Sequence, residues 1–502
     1  MRVVASIVFL FSILCEPAIA QHQFLDPSFG NGGVVLTKCT IPMISGTVTS
    51  MLVQPDHKIL IGGGVDNAGI TRYKENGTLD SSFGVNGFFD VPSLTGINAV
   101  AIQPDGKIIA EGSAQSTSLD VDFVTMRLNA NGTLDNTFGD HGVAMTRFST
   151  SNDEGYAVAL QPDGKIVIAG DAAATYLGVA RLLADGTPDS SFGTNGLVTG
   201  NWCSSGKAIS VMADGRIVTA SNSFGFSLLA TRLLSSGALD TTFNHTGYAK
   251  TLAGDSYDYC NAMQLQSDGK IILAGGGTFG AAGSDFALVR YNLDGSLDRT
   301  FGDTGVAHID FKGDDDEAWA MCLTTDGRIL VGGQVTIASN QDFGVVRLTG
   351  DGKADTTFGI NGKISTDIEG YPDFALAIAI QQDGKVLLGG SSGKDVYPDV
   401  YTDLAIVRYL NGSVGVKEVV PQMEHVTLYP NPAANRVNVD KARNAHIVGI
   451  SAHDVCGREI LINYQKSSAE VFINAPDGLY FFSIEFDDKP AVVEKLLVRN
   501  GN

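Results

Sequence analysis

Five stretches of the chain collect carboxylates and aromatic rings between apolar segments. They are Asp153, Glu154 and Tyr156; Trp202; Asp255, Tyr257, Asp258 and Tyr259; Asp314, Asp315, Asp316, Glu317 and Trp319; and Glu369, Tyr371 and Asp373. Both tryptophans of the chain fall in this set. Aromatic faces stack on sugar rings, and carboxylates accept hydrogen bonds from sugar hydroxyls or hold calcium through oxygen. The binding candidates are therefore Trp202, Tyr257, Tyr259, Asp314, Asp315, Asp316, Glu317, Trp319, Tyr371 and Asp373. A competing reading has the rings packing between structural units and the acids merely solvating a rim. The run Asp314–Glu317 lacks the spacing of an EF-hand loop. The sequence thus assigns no cofactor and no metal ligand set, and calcium is the one ion its oxygen donors would suit.

Other chemistry is poorly provided for. There is no G-x-S-x-G, no H-E-x-x-H and no phosphate-cradling glycine loop. The eight histidines do not cluster. Two carboxylates could cleave a glycosidic bond, but spacing along the chain does not set their separation in space. No catalytic residue is assigned. The expectation is a non-catalytic binding module for a glycan or a protein; the alternatives are a carboxylate-dependent glycan-active enzyme and a purely structural surface protein. Acids outnumber bases by 55 to 34, a formal charge of -21. Such a surface repels phosphate, so nucleic acid and anionic membranes are not expected partners.

The elements that must carry these residues repeat. An Asp-Gly-Lys phrase returns at Asp56, Asp105, Asp163, Asp214, Asp268, Asp326 and Asp383, at intervals of 49 to 58 residues. Alternating apolar runs flank each copy, which reads as a β-hairpin with a tight primed turn. His57 replaces glycine in the first copy and tolerates the positive φ such a turn needs. A small residue stands six positions before each aspartate: Ser50, Ala99, Ala157, Ala208, Ala262, Ala320 and Ala377. It marks a crowded position where strands converge. A third strand carries Arg72, Arg127, Arg181, Arg232, Arg290, Arg347 and Arg408. Eight residues after the first six arginines come Asp80, Asp135, Asp189, Asp240, Asp298 and Asp355, each in an L-D-x-x-F-G-like phrase before a fourth strand.

The seventh unit lacks that phrase. It occurs instead near the amino terminus, as "LDPSFGNGGVVLTK" at 25–38. An open solenoid has no use for such a permutation, whereas a closed ring leaves no long unpaired edge. The expected fold is all-β: a seven-bladed β-propeller over 21–411, closed by the amino-terminal strand. Features present in every blade then read as scaffold, with the arginine–aspartate set fixing the third strand and its following turn. The phrases L-D-x-x-F-G and Q-P-D-G-K resemble the delta-60 repeat proteins, secreted bacterial β-propeller-like chains. The resemblance covers about 25–411, departs at His57, Pro188, Asn244 and Ala354, and implies no defined activity.

Both ends carry addresses. Arg2, an apolar run from Val3 to Leu14 and the small residues at 18–20 read as a signal peptide over 1–20, too short to span a bilayer. No transmembrane segment is expected in the mature chain. Five cysteines outside this segment (Cys39, Cys203, Cys260, Cys322 and Cys456) show no C-x-x-C pair and read as small buried hydrophobes. Residues 412–424 read as a linker. Seven short alternating runs in 425–502 predict a small immunoglobulin-like β-sandwich. This segment resembles the type A C-terminal sorting domain of type IX secretion, through "LYPNPAANRVNV" from Leu428, "DVCGREI" from Asp454, "GLYFFSI" from Gly478 and "EKLLV" from Glu494. Its sorting-signal residues would be Tyr429, Pro430, Asn431, Pro432, Gly478, Tyr480 and Lys495. The resemblance implies the type IX machinery and a sortase-like peptidase as partners, and an outer-membrane surface or secreted location.

Overall fold

The computed structural model describes residues 24–38, 46–64, 68–91, 94–115, 120–280, 283–311, 314–394 and 401–411. In the carboxy-terminal unit it describes 427–429, 433–440, 447–454, 458, 460–465, 468–486 and 492–499. The signal peptide at 1–20, the linker at 412–424, Pro430, Asn431, Pro432, Cys39 and Cys456 lie outside these residues. The chain divides into two compact units, Met1–Val414 and Gly415–Asn502.

The first unit holds seven four-stranded antiparallel sheets among the described residues. Blade 1 consists of Thr47–Val53, Ile59–Gly64, Gly69–Tyr73 and Phe88–Asp90. Blades 2 to 6 follow in order over 94–146, 154–200, 204–251, 259–309 and 317–366. Blade 7 takes Asp373–Ile380, Val386–Lys394 and Tyr401–Tyr409, and its fourth strand is Val34–Thr37. Val34 pairs with Val407 and Thr37 with Leu404. The first strands of consecutive blades pack on one another, and that of blade 7 packs on that of blade 1. The ring is thereby closed.

The small residue of each first strand sits at a β-bulge, for example where the register shifts between Val48 and Ser50 or between Cys260 and Ala262. A bulge bends a strand and strengthens its twist, and a small side chain leaves space for that bend beside the next blade. Blade cores form between neighbouring sheets: Ile61, Met51 and Val48 of blade 1 share one cluster with Leu387, Leu404 and Ile406 of blade 7.

The Asp-Gly hairpins differ from the expected primed turn. Only the residue after the aspartate has positive φ, with Gly106 at 83° and His57 at 67°. Gln103 N donates to Lys107 O, and Gly106 N donates to Gln103 O. This is a type I turn followed by one left-handed residue. In three copies Pro55, Pro104 or Pro162 enforces it, since its ring fixes φ near −65°, which the first position of a primed turn forbids; Ala213, Ser267, Thr325 and Gln382 take the same turn in the other four.

Each repeated arginine does more than brace its own strand. Arg127 Nε donates to Asp135 Oδ2 at 2.7 Å, and its Nη1 donates to Ala184 O in the next blade at 2.5 Å. Its guanidinium lies 4.8 Å from the centroid of the buried Phe138 ring. The amino-terminal segment completes the same staple in blade 7. Arg408 meets Asp26 at 2.9 Å, covers Phe29, and reaches across to Glu75 O of blade 1 at 2.6 Å.

The second unit forms one four-stranded and one three-stranded sheet around a core that includes Val437, Val471, Phe482, Ile484 and Leu496. Tyr480 is buried and donates to Pro476 O at 2.9 Å, while Tyr429 and Lys495 are exposed. Gly478 opens the strand Gly478–Phe486.

Candidate functional site

Each loop that leads into a first strand lies beside the hairpins joining second and third strands. Ala173 N donates to Asp153 Oδ1 at 2.7 Å, and Asp258 N donates to Phe226 O of the preceding blade at 3.2 Å. The acids, the aromatics and these hairpins therefore share one face of the ring. The Asp-Gly turns and the arginine staples occupy the other.

Four of the acids have a common structural task. Asp153, Asp258, Asp316 and Asp373 are fully or almost fully buried. Each accepts the amide five residues earlier, from Phe148, Ala253, Phe311 and Ile368 respectively. They clamp the lead-in loops. Burial pushes Asp316 up to about 7 and Asp373 up to about 8. Of the remaining candidate acids, Asp314 and Asp315 are exposed, and Asp315 accepts Ser284 N at 2.9 Å. Glu317 is half-buried and accepts from Asn261 Nδ2 at 3.3 Å. Tyr259 lies in the same group, with its hydroxyl 3.3 Å from Ser284 Oγ. Tyr371 is half-buried, and its carbonyl receives Asn340 Nδ2 at 3.5 Å.

The tryptophans are packing residues of separate blades. Trp202 donates from Nε1 to Thr231 Oγ1 at 3.0 Å, and its ring stacks parallel to Tyr248. The ring also covers Gly200, where an added Cβ would lie 2.7 Å from it. Trp319 is half-buried on the first strand of blade 6, and its buried Nε1 finds no acceptor.

Exposed rings gather elsewhere on this face. Phe224 and Phe226 protrude from the second hairpin of blade 4, 52% and 55% exposed. Phe224 meets Tyr176 of blade 3 edge-on at 6.2 Å, and Phe226 meets Tyr257 of blade 5 at 4.7 Å. Tyr176 is 38% exposed and Tyr257 61%. Sequence reasoning found only Tyr257, because it inspected the lead-in loops alone. The signal for Phe224 and Phe226 was "SNSFGFS" at 221–227, a phrase no other blade contains; Tyr176 had no comparable signal.

A second group occurs once. Tyr156 donates to Glu154 Oε2 at 2.7 Å and approaches Asp171 Oδ2 at 3.4 Å. The Lys207 ammonium sits 3.6 Å from the centre of the Tyr156 ring. Burial pushes the Asp171 carboxyl up and the Lys207 amine down, each toward its neutral form. Asp171 and Lys207 were missed, although each is a blade-specific charge in an otherwise apolar strand.

Two groups of three carboxylates could hold a cation: Asp285, Asp310 and Asp316, and Asp342, Asp367 and Asp373. The cysteines are inert by comparison. Burial pushes Cys203 up to about 11 and Cys260 and Cys322 up to about 12, and none of the three is in a disulfide.

Comparison with known families matches both units. The Domain of unknown function (DUF5122) beta-propeller matches five times, over 54–83, 103–138, 161–192, 266–301 and 324–358. The secretion system C-terminal sorting domain matches 427–499. The chain thus carries DUF5122 beta-propeller repeats followed by a type IX C-terminal sorting domain. Such a sorting domain means export by type IX secretion to the cell surface or the extracellular space. Among the described residues no helix is long and apolar enough to cross a membrane. No curated protein matches this repeat propeller. Solved structures resemble it only distantly. A protein of unknown function from Bacteroides caccae is 12% identical, with 64% of this chain and 97% of that chain covered and a TM-score of 0.37. The PQQ-bound aldose sugar dehydrogenase of Streptomyces coelicolor is 13% identical, with 75% and 98% covered and a TM-score of 0.35. A PL25 ulvan lyase bound to a glucuronate–rhamnose sulfate repeat is 10% identical, with 76% and 94% covered and a TM-score of 0.37. At this distance none of them bears on what the propeller binds.

Proposed function

We propose that the exported propeller is a non-catalytic binding module for a glycan, held by the exposed rings Tyr176, Phe224, Phe226 and Tyr257. The observation that carries this reading is the joining of four exposed rings across three consecutive blades, in a fold whose repeated phenylalanines are all buried. A patch of this kind marks an interaction site. Flat apolar rings beside an acidic rim suit the faces and hydroxyls of a sugar chain. The test incubates the purified chain with insoluble and soluble polysaccharides and follows protein and sugar separately. Depletion of the protein with unchanged glycan, lost in a Phe224→Ala/Phe226→Ala/Tyr257→Ala variant, is the expected result. Equal depletion of the variant would remove the patch from the reading, and no depletion on any glycan would favour a protein ligand.

A second reading, a carboxylate-dependent glycan-active enzyme, has one observation in its favour. Glu154 and Asp171 bracket the Tyr156 hydroxyl beside Lys207. Two carboxylates at short separation, one with its carboxyl pushed up by burial, are the components of acid–base cleavage. New oligosaccharides that vanish in Glu154→Gln and Asp171→Asn variants would establish it.

A further inference from the structure

The repeats allow one position to be compared across blades. Four third strands carry an aspartate five residues before the repeated arginine: Asp122, Asp285, Asp342 and Asp403. The residue that follows the fourth strand of the same four blades is Arg147, Asp310, Asp367 and Lys38. In two blades this position supplies a cation. Arg147 Nε lies 3.5 Å from Asp122 Oδ1, and its Nη2 lies 2.7 Å from Asp120 Oδ2. Lys38 Nζ lies 3.9 Å from Asp403 Oδ2. In the other two blades the position supplies a third acid to a pair of buried ones.

We propose that Asp342, Asp367 and Asp373 bind one hard divalent cation of calcium's class, which takes the place that Arg147 and Lys38 fill elsewhere. One oxygen from each of the three carboxylates lies within 4.8 Å of the other two. Oxygens 2.3–2.6 Å from a shared calcium ion can lie at most about 5 Å apart, so one ion can touch all three. A buried, unpartnered acceptor supports the assignment independently. Asp373 is fully buried; its Oδ2 accepts Ile368 N at 2.7 Å, no amide reaches its Oδ1, and the Ser392 hydroxyl is the one other neutral donor beside the carboxylate. The equivalent Oδ1 in other blades is satisfied by an amide twenty residues on, from Ala173 at 2.7 Å or Thr336 at 3.0 Å. In blade 7 that amide, Gly393 N, turns to Pro372 O instead. A buried carboxylate oxygen without a partner is costly unless a cation meets it.

Both groups have local partners: Asn340 Nδ2 donates to Asp342 Oδ1 at 2.7 Å and Gly370 N to Asp367 Oδ1 at 2.8 Å, but in the group Asp285, Asp310 and Asp316 the buried clamp has no oxygen left over. His308 Nε2 lies 2.6 Å from Asp285 Oδ2, and both oxygens of Asp316 accept amides. Lys363 donates to the Asp310 carbonyl. Ser365 stands where His308 would be in blade 6. The inference is therefore confined to the Asp342 group.

The test is calorimetric titration of the chelator-treated full chain with calcium chloride, beside melting curves. Extracellular calcium modules bind with Kd of about 10⁻⁴–10⁻³ M, so the titration extends to several times that range. The unmodified chain should take up one ion and melt higher with calcium. Asp367→Lys, which copies the arrangement of Lys38, should bind none and melt at or above the chelated parent. Asp310→Lys should still bind one. No heat and no shift in the parent would overturn the proposal, as would an unchanged stoichiometry in Asp367→Lys. Because neither readout involves sugar, failure here leaves the aromatic patch untouched, and failure of the patch leaves this site untouched.

Discussion

The two faces of the propeller are built on opposite rules. On the turn face, every blade repeats one arginine, one aspartate and one phenylalanine in nearly the same geometry. The guanidinium stands 4.5–4.8 Å from the ring in all seven blades. On the lead-in face, one blade presents phenylalanines and sets Lys207 against the Glu154–Tyr156 pair of the blade before it, and two others present three acids each. Sevenfold identity goes with burial and mutual hydrogen bonding, and variety goes with exposure. A face that must close the ring admits little change, whereas a face that only needs its loops clamped can vary every other residue.

The sharpest way to break this comparison is to remove closure itself. Deleting 21–38 takes away the last strand, the Asp26 staple and the buried Phe24, Leu25, Phe29 and Val35. At roughly 1.5–3 kcal/mol per side chain, that loss approaches the whole stability of an ordinary domain, about 5–15 kcal/mol. The deletion should aggregate or lose its cooperative melt in calorimetry, and a deleted chain that melts like the parent would refute closure by this strand. Next in size, Arg232→Ala removes the nearer cation of buried Asp240, leaving Arg216 at 3.4 Å, together with the bond to Leu293 O, and should cost about 3 kcal/mol in urea unfolding. On the other face, Arg147→Ala removes a half-exposed cation that meets Asp120 at 2.7 Å and buried Asp122 at 3.5 Å, and should cost about 1–2 kcal/mol, less than Arg232→Ala. Equal costs would erase the distinction between the faces.

Acid should act on the turn face. Burial alone would raise Asp26, Asp80, Asp189 and Asp355, but hydroxyl and amide hydrogen bonds together with the arginine and lysine charges outweigh it and hold them at about 2. Unfolded aspartates titrate near 3.9. The folded state thus binds fewer protons, so this stability is fully present above about pH 4 and is lost as the pH falls toward 2. Melting temperatures across that window should drop steeply in the parent and less steeply in an Asp189→Asn variant measured against its own value at pH 6. A smaller gain is expected from His57→Gly, which relieves the one non-glycine left-handed turn residue of the Asp-Gly set. It should add roughly 0.5–1 kcal/mol in the same unfolding assay. Smallest of all, Phe224→Ala and Phe226→Ala should change stability by no more than about 0.5 kcal/mol while weakening glycan capture at least about tenfold.

The scaffold was legible because its signals are local and repeated. Alternation named the strands, Asp-Gly named the hairpins, and the missing phrase after Arg408 named the closing strand. The turn type was misread because Asp-Gly is not the central pair: the residue before the aspartate opens the turn, and only the position after the aspartate is left-handed. The site was only partly legible. Tyr257 emerged as an exposed ring of the patch, but Trp202 and Trp319 turned out to serve blade packing. Asp316 and Asp373 also clamp their loops, and Phe224, Phe226, Asp171 and Lys207 lie outside the lead-in acidic loops, where spacing along the chain does not link them to the other site residues.

By itself the sequence determined the repeat, the order of strands within a blade, the ring closure and the export route, since each is written in contiguous residues. The tertiary structure decided which side chains meet across blades. Arg127 reaches Ala184 O, Phe226 meets Tyr257, and Asp342 joins Asp373 only because curved sheets bring residues tens of positions apart onto one edge. Burial completed the division: the same aspartate side chain is a clamp at position 316 and an exposed acid at 314, according to whether backbone amides or water surround it.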